Sequence, residues 1–216
     1  MFPCTEHHRA RLRRTGRRSL QTMCVLPWVS ESVLEDAMTE IVPEVLISEE
    51  QIRNKVAELG GRISADYTDV DDLILVGILK GSFIFLADLA RELTIPRSVD
   101  FMALSTYGDS ESTDTDGAVR MIMDLRRNIT GKHVIVVEDI VDTGYTLSYL
   151  LRNLAARQPA SLKTCVLVEK PERREVFTQI DYLGFSIPDV WVVGCGLDWA
   201  ERFRTLPYIG VVRPED

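Results

Sequence analysis

The stretch Val134-Ile135-Val136-Val137-Glu138-Asp139-Ile140-Val141-Asp142-Thr143-Gly144-Tyr145-Thr146-Leu147 decides the reading of this chain, because it joins a buried strand to an anion cradle through three carboxylates. Four consecutive β-branched apolar residues predict a strand covered on both faces, and Leu147, Leu150, Leu151 and Leu154 then fall at helical spacing. A tight loop lies between them. At the start of the helix, unpaired N–H groups and the positive end of the dipole face an anion; Gly144 lets the backbone come close, and Thr143 and Thr146 add hydroxyl donors. Glu138 and Asp139, at the strand's carboxyl end, cannot bind phosphate, but they can accept hydrogen bonds from vicinal ribose hydroxyls or hold water on a magnesium ion. An Asp- and Thr-rich loop can simply cap a helix. Strand, acidic pair, Asp-Thr-Gly and helix together fit a ribose 5-phosphate.

Outward from this stretch, the pattern alternates between strands and helices. Ser48 and Gln51 have capping-box spacing, and Ile52, Val56, Leu59 and Ile63 form an apolar stripe, predicting a first helix to about Tyr67 in a fold that begins near Ile47. Leu73 to Ile78 reads as a buried strand, Phe83 to Leu93 as a helix and Val99 to Ser105 as a second strand. Val119 to Leu125 is expected to pair back across a long loop, and Leu162 to Val168 forms another strand. The predicted fold class is α/β, with a parallel-cored sheet flanked by helices. From Tyr182 onward, Gly184, Pro188 and Gly194 punctuate short strand-like pieces, so the tail is expected to form a small subdomain rather than another βα unit.

The 216 residues, 45% hydrophobic and 27% charged, suit one compact enzyme domain with a sizeable core. A net charge of −8 gives no global attraction to nucleic acid. Cys4, Cys24, Cys165 and Cys195 lack metal-ligand spacing and read as reduced thiols. No apolar run approaches the length of a membrane span, so a cytoplasmic location is expected, with neither membrane nor nucleic acid as partner. Residues 1–40 differ in character: Arg9, Arg11, Arg13, Arg14, Arg17 and Arg18 crowd together with only Glu6 opposing them. They read as a disordered basic extension, with a transit peptide, a nucleic-acid tail or a misassigned start (Met23 and Met38 are internal candidates) as alternatives. Residues 41–216 form the expected catalytic domain.

Glu138-Asp139-Ile140-Val141-Asp142-Thr143-Gly144 resembles the phosphoribosyl-pyrophosphate signature of type I phosphoribosyltransferases, in the form of the hypoxanthine-guanine branch. The resemblance runs from about Ile47 to Val212. It implies the fold of that family, with the tail as a hood over the base, and a magnesium-dependent transfer of 5-phosphoribosyl from phosphoribosyl pyrophosphate to hypoxanthine or guanine. The products are the purine nucleotide and pyrophosphate, and the expected assembly is a homodimer or homotetramer. Leu79-Lys80-Gly81-Ser82 matches the loop whose backbone amides meet pyrophosphate, often through a cis peptide between the first two residues. Thr106 and Tyr107 match the start of a mobile lid, followed by a polar run to Gly117 that is too long for a hairpin turn. A lid matters because water reaching a ribosyl oxocarbenium ion would hydrolyse the donor.

The resemblance gives the remaining positions their roles. Glu138, Asp139, Asp142, Thr143, Gly144, Tyr145 and Thr146 bind the donor with Lys80, Gly81 and Arg204. Asp142 serves as the acid-base residue beside purine N7. Glu138, Asp139 and Asp198 hold Mg2+. Lys170 donates to the exocyclic O6, which an ammonium can do for a 6-oxopurine but not for the amino group of adenine. Trp191 stacks on the base, and Val192 addresses its edge through the backbone. The sequence departs from the family at Trp191, Cys195 and Trp199, where Phe or Tyr, Tyr and Tyr are common, and these changes bear on base preference. Two other readings stay open: the same chemistry restricted to guanine and xanthine, and a regulatory protein that keeps the donor site as a sensor and binds nucleic acid.

Overall fold

The computed structural model describes residues 42–106 and 119–213. The basic extension, Tyr107 and the rest of the expected lid lie outside these residues. The described residues open with strand β1 (Glu44–Ile47) and helix α1 (Glu49–Asp66). Ser48 closes the expected capping box: its hydroxyl accepts from Gln51 N–H while the Gln51 side chain accepts from Ser48 N–H. Then come β2 (Leu73–Leu79), α2 (Phe83–Glu92), β3 (Arg97–Thr106), β4 (Val119–Met123), β5 (His133–Val141), α3 (Tyr145–Ala155), β6 (Ser161–Glu169), β7 (Tyr182–Ser186), β8 (Val192–Val193) and β9 (Ile209–Val211).

Six strands form the main sheet in the order β4-β3-β2-β5-β6-β7, parallel throughout except for β4, which runs antiparallel to β3. The period-two geometry of β2 and β5 divides their apolar residues between two cores. Leu73, Leu75, Ile135 and Val137 face the stripe of α1 and Phe85, Leu86 and Leu89 of α2. Ile74, Val76, Val134 and Val136 face Leu147, Leu150 and Leu154 of α3. This is why both strands read as continuous hydrophobic runs.

Two features differ from the sequence reading. Tyr182–Ser186 is not part of the hood; it extends the main sheet as a parallel edge strand beside β6. Gly184, read as punctuation, permits this pairing, since a Cβ there would lie 2.3 Å from Leu167 O. The hood sheet instead recruits β1 from before the first helix, in the antiparallel order β1-β9-β8. The fold therefore begins before Ile47. Cys165 and Cys195 are free and buried, and burial pushes the Cys195 thiol up to about 11. Among the described residues, no helix is long and apolar enough to cross a membrane.

Candidate active site

The chain steps from β2 outward to β3, then returns to place β5 on the other side of β2. This reversal makes the carboxyl ends of β2 and β5 a topological switch point, the position where open α/β sheets bind ligands. The loops that emerge there are Lys80-Gly81-Ser82 and Asp142-Thr143-Gly144. The carboxyl end of β6, next to β5, leads into Lys170.

The two loops are shaped by close approaches. The Leu79–Lys80 peptide is cis, and Gly81 lies against Asp139 so tightly that a Cβ would fall 1.6 Å from Oδ2. A Cβ on Gly196 would meet Gly81 O at 1.8 Å, so the hood turn rests on this loop through two glycines. Gly144, the N-cap of α3, has φ +92°, and a Cβ there would meet Val176 O at 2.4 Å. The segment after β6 braces the signature loop from that side: the N–H groups of Glu175 and Val176 both donate to Thr143 O, and Lys170 N–H donates to Val141 O, each at 3.0 Å. Thr146 lies in the first turn of α3, half-buried, and Tyr145 starts the helix with its ring half-exposed.

The carboxylates of β5 sit in costly surroundings. Glu138 is 7% exposed, and among the described residues its Oε2 has no hydrogen-bond partner. Burial first, and Asp139 second, push its carboxyl well above the usual range. Asp139 is pushed up to about 6, chiefly by burial; backbone N–H donors and then Arg204 oppose the rise, and Asp198 adds to it. Among the described residues, no three His, Cys, Asp or Glu side chains gather closely enough to hold a metal alone. The donor set still fits Mg2+, which keeps waters and is held by one or two carboxylates plus substrate phosphates. An ion there would supply the unpaired Glu138 oxygen with its missing partner.

Asp142 does not cap α3, because Gly144 occupies that position without a side-chain bond. Its Oδ1 instead accepts from Arg173 Nε at 2.9 Å. Arg173 also lies 3.8 Å from Asp189, and Asp189 accepts from Lys170 Nζ at 3.4 Å. Lys170 is buried despite its charge, unlike an ordinary lysine at a strand end. Trp191, just before β8, is 62% exposed, whereas Val192 beside it is buried in β8. Thr106 ends β3.

On the hood, Arg204 is fully engaged at its tips. Nη1 donates to Gly196 O at 2.9 Å, and Nη2 lies 2.9 Å from Asp198 and 3.1 Å from Glu201. The remaining Asp198 oxygen accepts from Glu201 N–H at 2.8 Å. Glu201 also reaches the exposed Lys80, whose Nζ donates to Oε2 at 3.0 Å. Arg173, Asp189 and Glu201 were not foreseen from the sequence, since each meets its partners through the fold rather than through local spacing.

The chain matches the family described as "Phosphoribosyl transferase domain" over residues 48–199. It is 49% identical over 170 residues to a hypoxanthine phosphoribosyltransferase of Salmonella typhimurium, covering 78% of this chain and 94% of the relative. A hypoxanthine-guanine phosphoribosyltransferase of Mycobacterium avium is 45% identical over 195 residues, covering 86% and 95%. Among solved structures, the hypoxanthine phosphoribosyltransferase of Trypanosoma cruzi in complex with the product IMP aligns with a TM-score of 0.74 at 43% identity, covering 80% of this chain and 95% of that one.

Proposed function

The chain belongs to the phosphoribosyltransferase family, in its hypoxanthine-guanine branch, and on that premise we propose that it transfers 5-phosphoribosyl from phosphoribosyl pyrophosphate to a 6-oxopurine in purine salvage. The observation that carries the proposal is the buried Glu138 carboxylate with an unpartnered oxygen, next to Asp139 and directly ahead of a glycine-capped helix start. A carboxylate pair costs stability in such a place unless a ligand or ion completes it.

The signature loop from Asp142 to Thr146 and the amino end of α3 anchor the 5-phosphate. The amides of Lys80 and Gly81, with Arg204, meet the pyrophosphate as charged and backbone donors. Glu138, Asp139 and Asp198 would hold Mg2+, which when bound supplies positive charge to the leaving group. Lys170 donates to O6, Trp191 stacks on the purine and Val192 meets its edge, fixing the base for attack with inversion at the anomeric carbon. Base stacking is worth about 1–3 kcal/mol. Asp142 takes or shares the N7 proton. Thr106 and Tyr107 begin the lid that keeps water from the oxocarbenium-like centre. The bond between the anomeric carbon and pyrophosphate breaks as the bond to the purine nitrogen forms, and no covalent enzyme intermediate is needed.

The same reading takes residues 41–216 as the catalytic domain of a cytoplasmic homodimer or homotetramer, with residues 1–40 dispensable. A chain starting at Met38 should transfer at the rate of the full chain, and a large loss would contradict this. The reaction itself is tested by assaying hypoxanthine, guanine, xanthine and adenine with the donor and magnesium. Nucleotide formation from hypoxanthine or guanine is expected, with adenine inert. Adenine as the preferred base would refute the assignment of Lys170, and no turnover with any base would refute the function.

A further inference from the structure

Glu201 joins two cations: Lys80, 121 positions before it in sequence, and Arg204, on the same hood turn. One carboxylate oxygen accepts from each: Oε2 from Lys80 at 3.0 Å, and Oε1 from Arg204 at 3.1 Å. The hood turn that carries it is forced into place. Ala200 and Glu201 have φ of +50° and +64°, a left-handed conformation that a side chain makes unfavourable, and Glu201 N–H is tied to Asp198. Stability does not account for this arrangement. The side chains of Lys80 and Glu201 are 68% and 65% exposed, and solvent-exposed ion pairs contribute little to folding. The pairing nevertheless keeps the Glu201 carboxyl below the usual range, with Lys80 the larger cause and Arg204 the next.

We propose that Glu201 is an internal competitor for the pyrophosphate subsite: its carboxylate and the ligand's pyrophosphate claim the same two cations, Lys80 and Arg204, so Glu201 weakens the hold on any ligand carrying that group. This inference rests on the proposed function, which assigns Arg204 and the amides of Lys80 and Gly81 to pyrophosphate, and it adds the Lys80 ammonium to that subsite. It explains why Arg204 reaches the site with its terminal nitrogens already engaged by acceptors. It also gives the enzyme a means of releasing a highly charged product, because a tethered carboxylate returns to the cations as the pyrophosphate leaves.

The test is titration calorimetry on the full chain in magnesium buffer with two ligands, inorganic pyrophosphate and IMP, which carries no pyrophosphate. Glu201→Gln keeps the size and a hydrogen-bond acceptor but removes the charge. Relieving the pairs with Lys80 and Arg204 should tighten pyrophosphate binding by about 3- to 10-fold, lower the KM for the donor in parallel and leave IMP affinity within about twofold. Should Glu201→Gln fold poorly, Glu201→Asp, which is one methylene shorter and cannot span both cations, carries the test in the same direction. Unchanged or weaker pyrophosphate binding, or equal tightening of both ligands, overturns the inference while the function stands. A wild-type chain that binds neither ligand overturns both.

Discussion

The two ends of β5 leave their polar side chains in opposite states. At the amino end of β5, β6 and β7, His133 Nδ1 and Ser161 Oγ are 2.8 Å apart, and Tyr182 O–H donates to Asp66 Oδ2 at 2.5 Å. Lys163 donates to both Tyr182 and Asp66 and lies over the rings of Tyr67 and Tyr182. The Tyr182 hydroxyl, more than Lys163, holds the Asp66 carboxyl below its usual range. At the carboxyl end, Glu138 has an oxygen without a partner and Asp139 is pushed up to about 6. A network complete in itself has a structural role; a set of charges left incomplete by the protein is where a ligand belongs.

If this division is right, substitutions at one end should change rates and those at the other should change stability. The largest effect is expected at Asp142. Asp142→Asn should lower turnover by about 100-fold or more, the scale of a positioned acid-base group, with a smaller effect on donor affinity. Steady-state kinetics decide this, and near-normal turnover would remove Asp142 from the chemistry. Lys170 comes next. Losing a charged hydrogen bond to O6 should cost oxopurine use about 1.5–3 kcal/mol in Lys170→Ala. Binding of the donor alone, measured by calorimetry, should not change.

The smallest effect should fall at the amino end. In Tyr182→Phe the freed Asp66 side chain, 48% exposed, can turn to water. The loss should therefore stay near 1 kcal/mol, or about 2–4 °C in thermal midpoint, with kcat unchanged. A drop in kcat without a change in melting would erase the distinction between the two ends.

What the sequence revealed follows the same division between local and distant causes. The signature stretch was legible because strand, acidic pair, glycine and helix are consecutive, and the capping box at Ser48 because its partners are three residues apart. β1 was not legible: four residues acquire strand character by pairing with β9, more than 160 positions away, as at Glu44 and Val211. β7 was misassigned because Gly184 looks the same in a sequence whether it breaks a strand or lets the backbone of β6 approach. Lys170 and Trp191 were legible as positions, yet the burial of one and the exposure of the other came only from the fold. The Arg173 link to Asp142 and the Glu201 bridge depend on loops from different strands meeting at the switch point, so no spacing announces them.

The proposed function makes Glu138 an incomplete charge kept for the ligand at a cost to the fold. Its folded pKa lies above its unfolded one, so between those values the native state binds more protons than the unfolded state, and stability falls as pH rises through that window. Glu138→Gln cannot titrate and lacks this slope. The decisive measurement is the thermal midpoint of wild type and Glu138→Gln, without ligands, from pH 5 to pH 8, with transfer assayed on the same preparations. With this role for Glu138, wild type should lose stability relative to Glu138→Gln as pH rises, while the variant's transfer rate should fall by about tenfold or more. Parallel midpoints across the range, together with undiminished transfer, would contradict it.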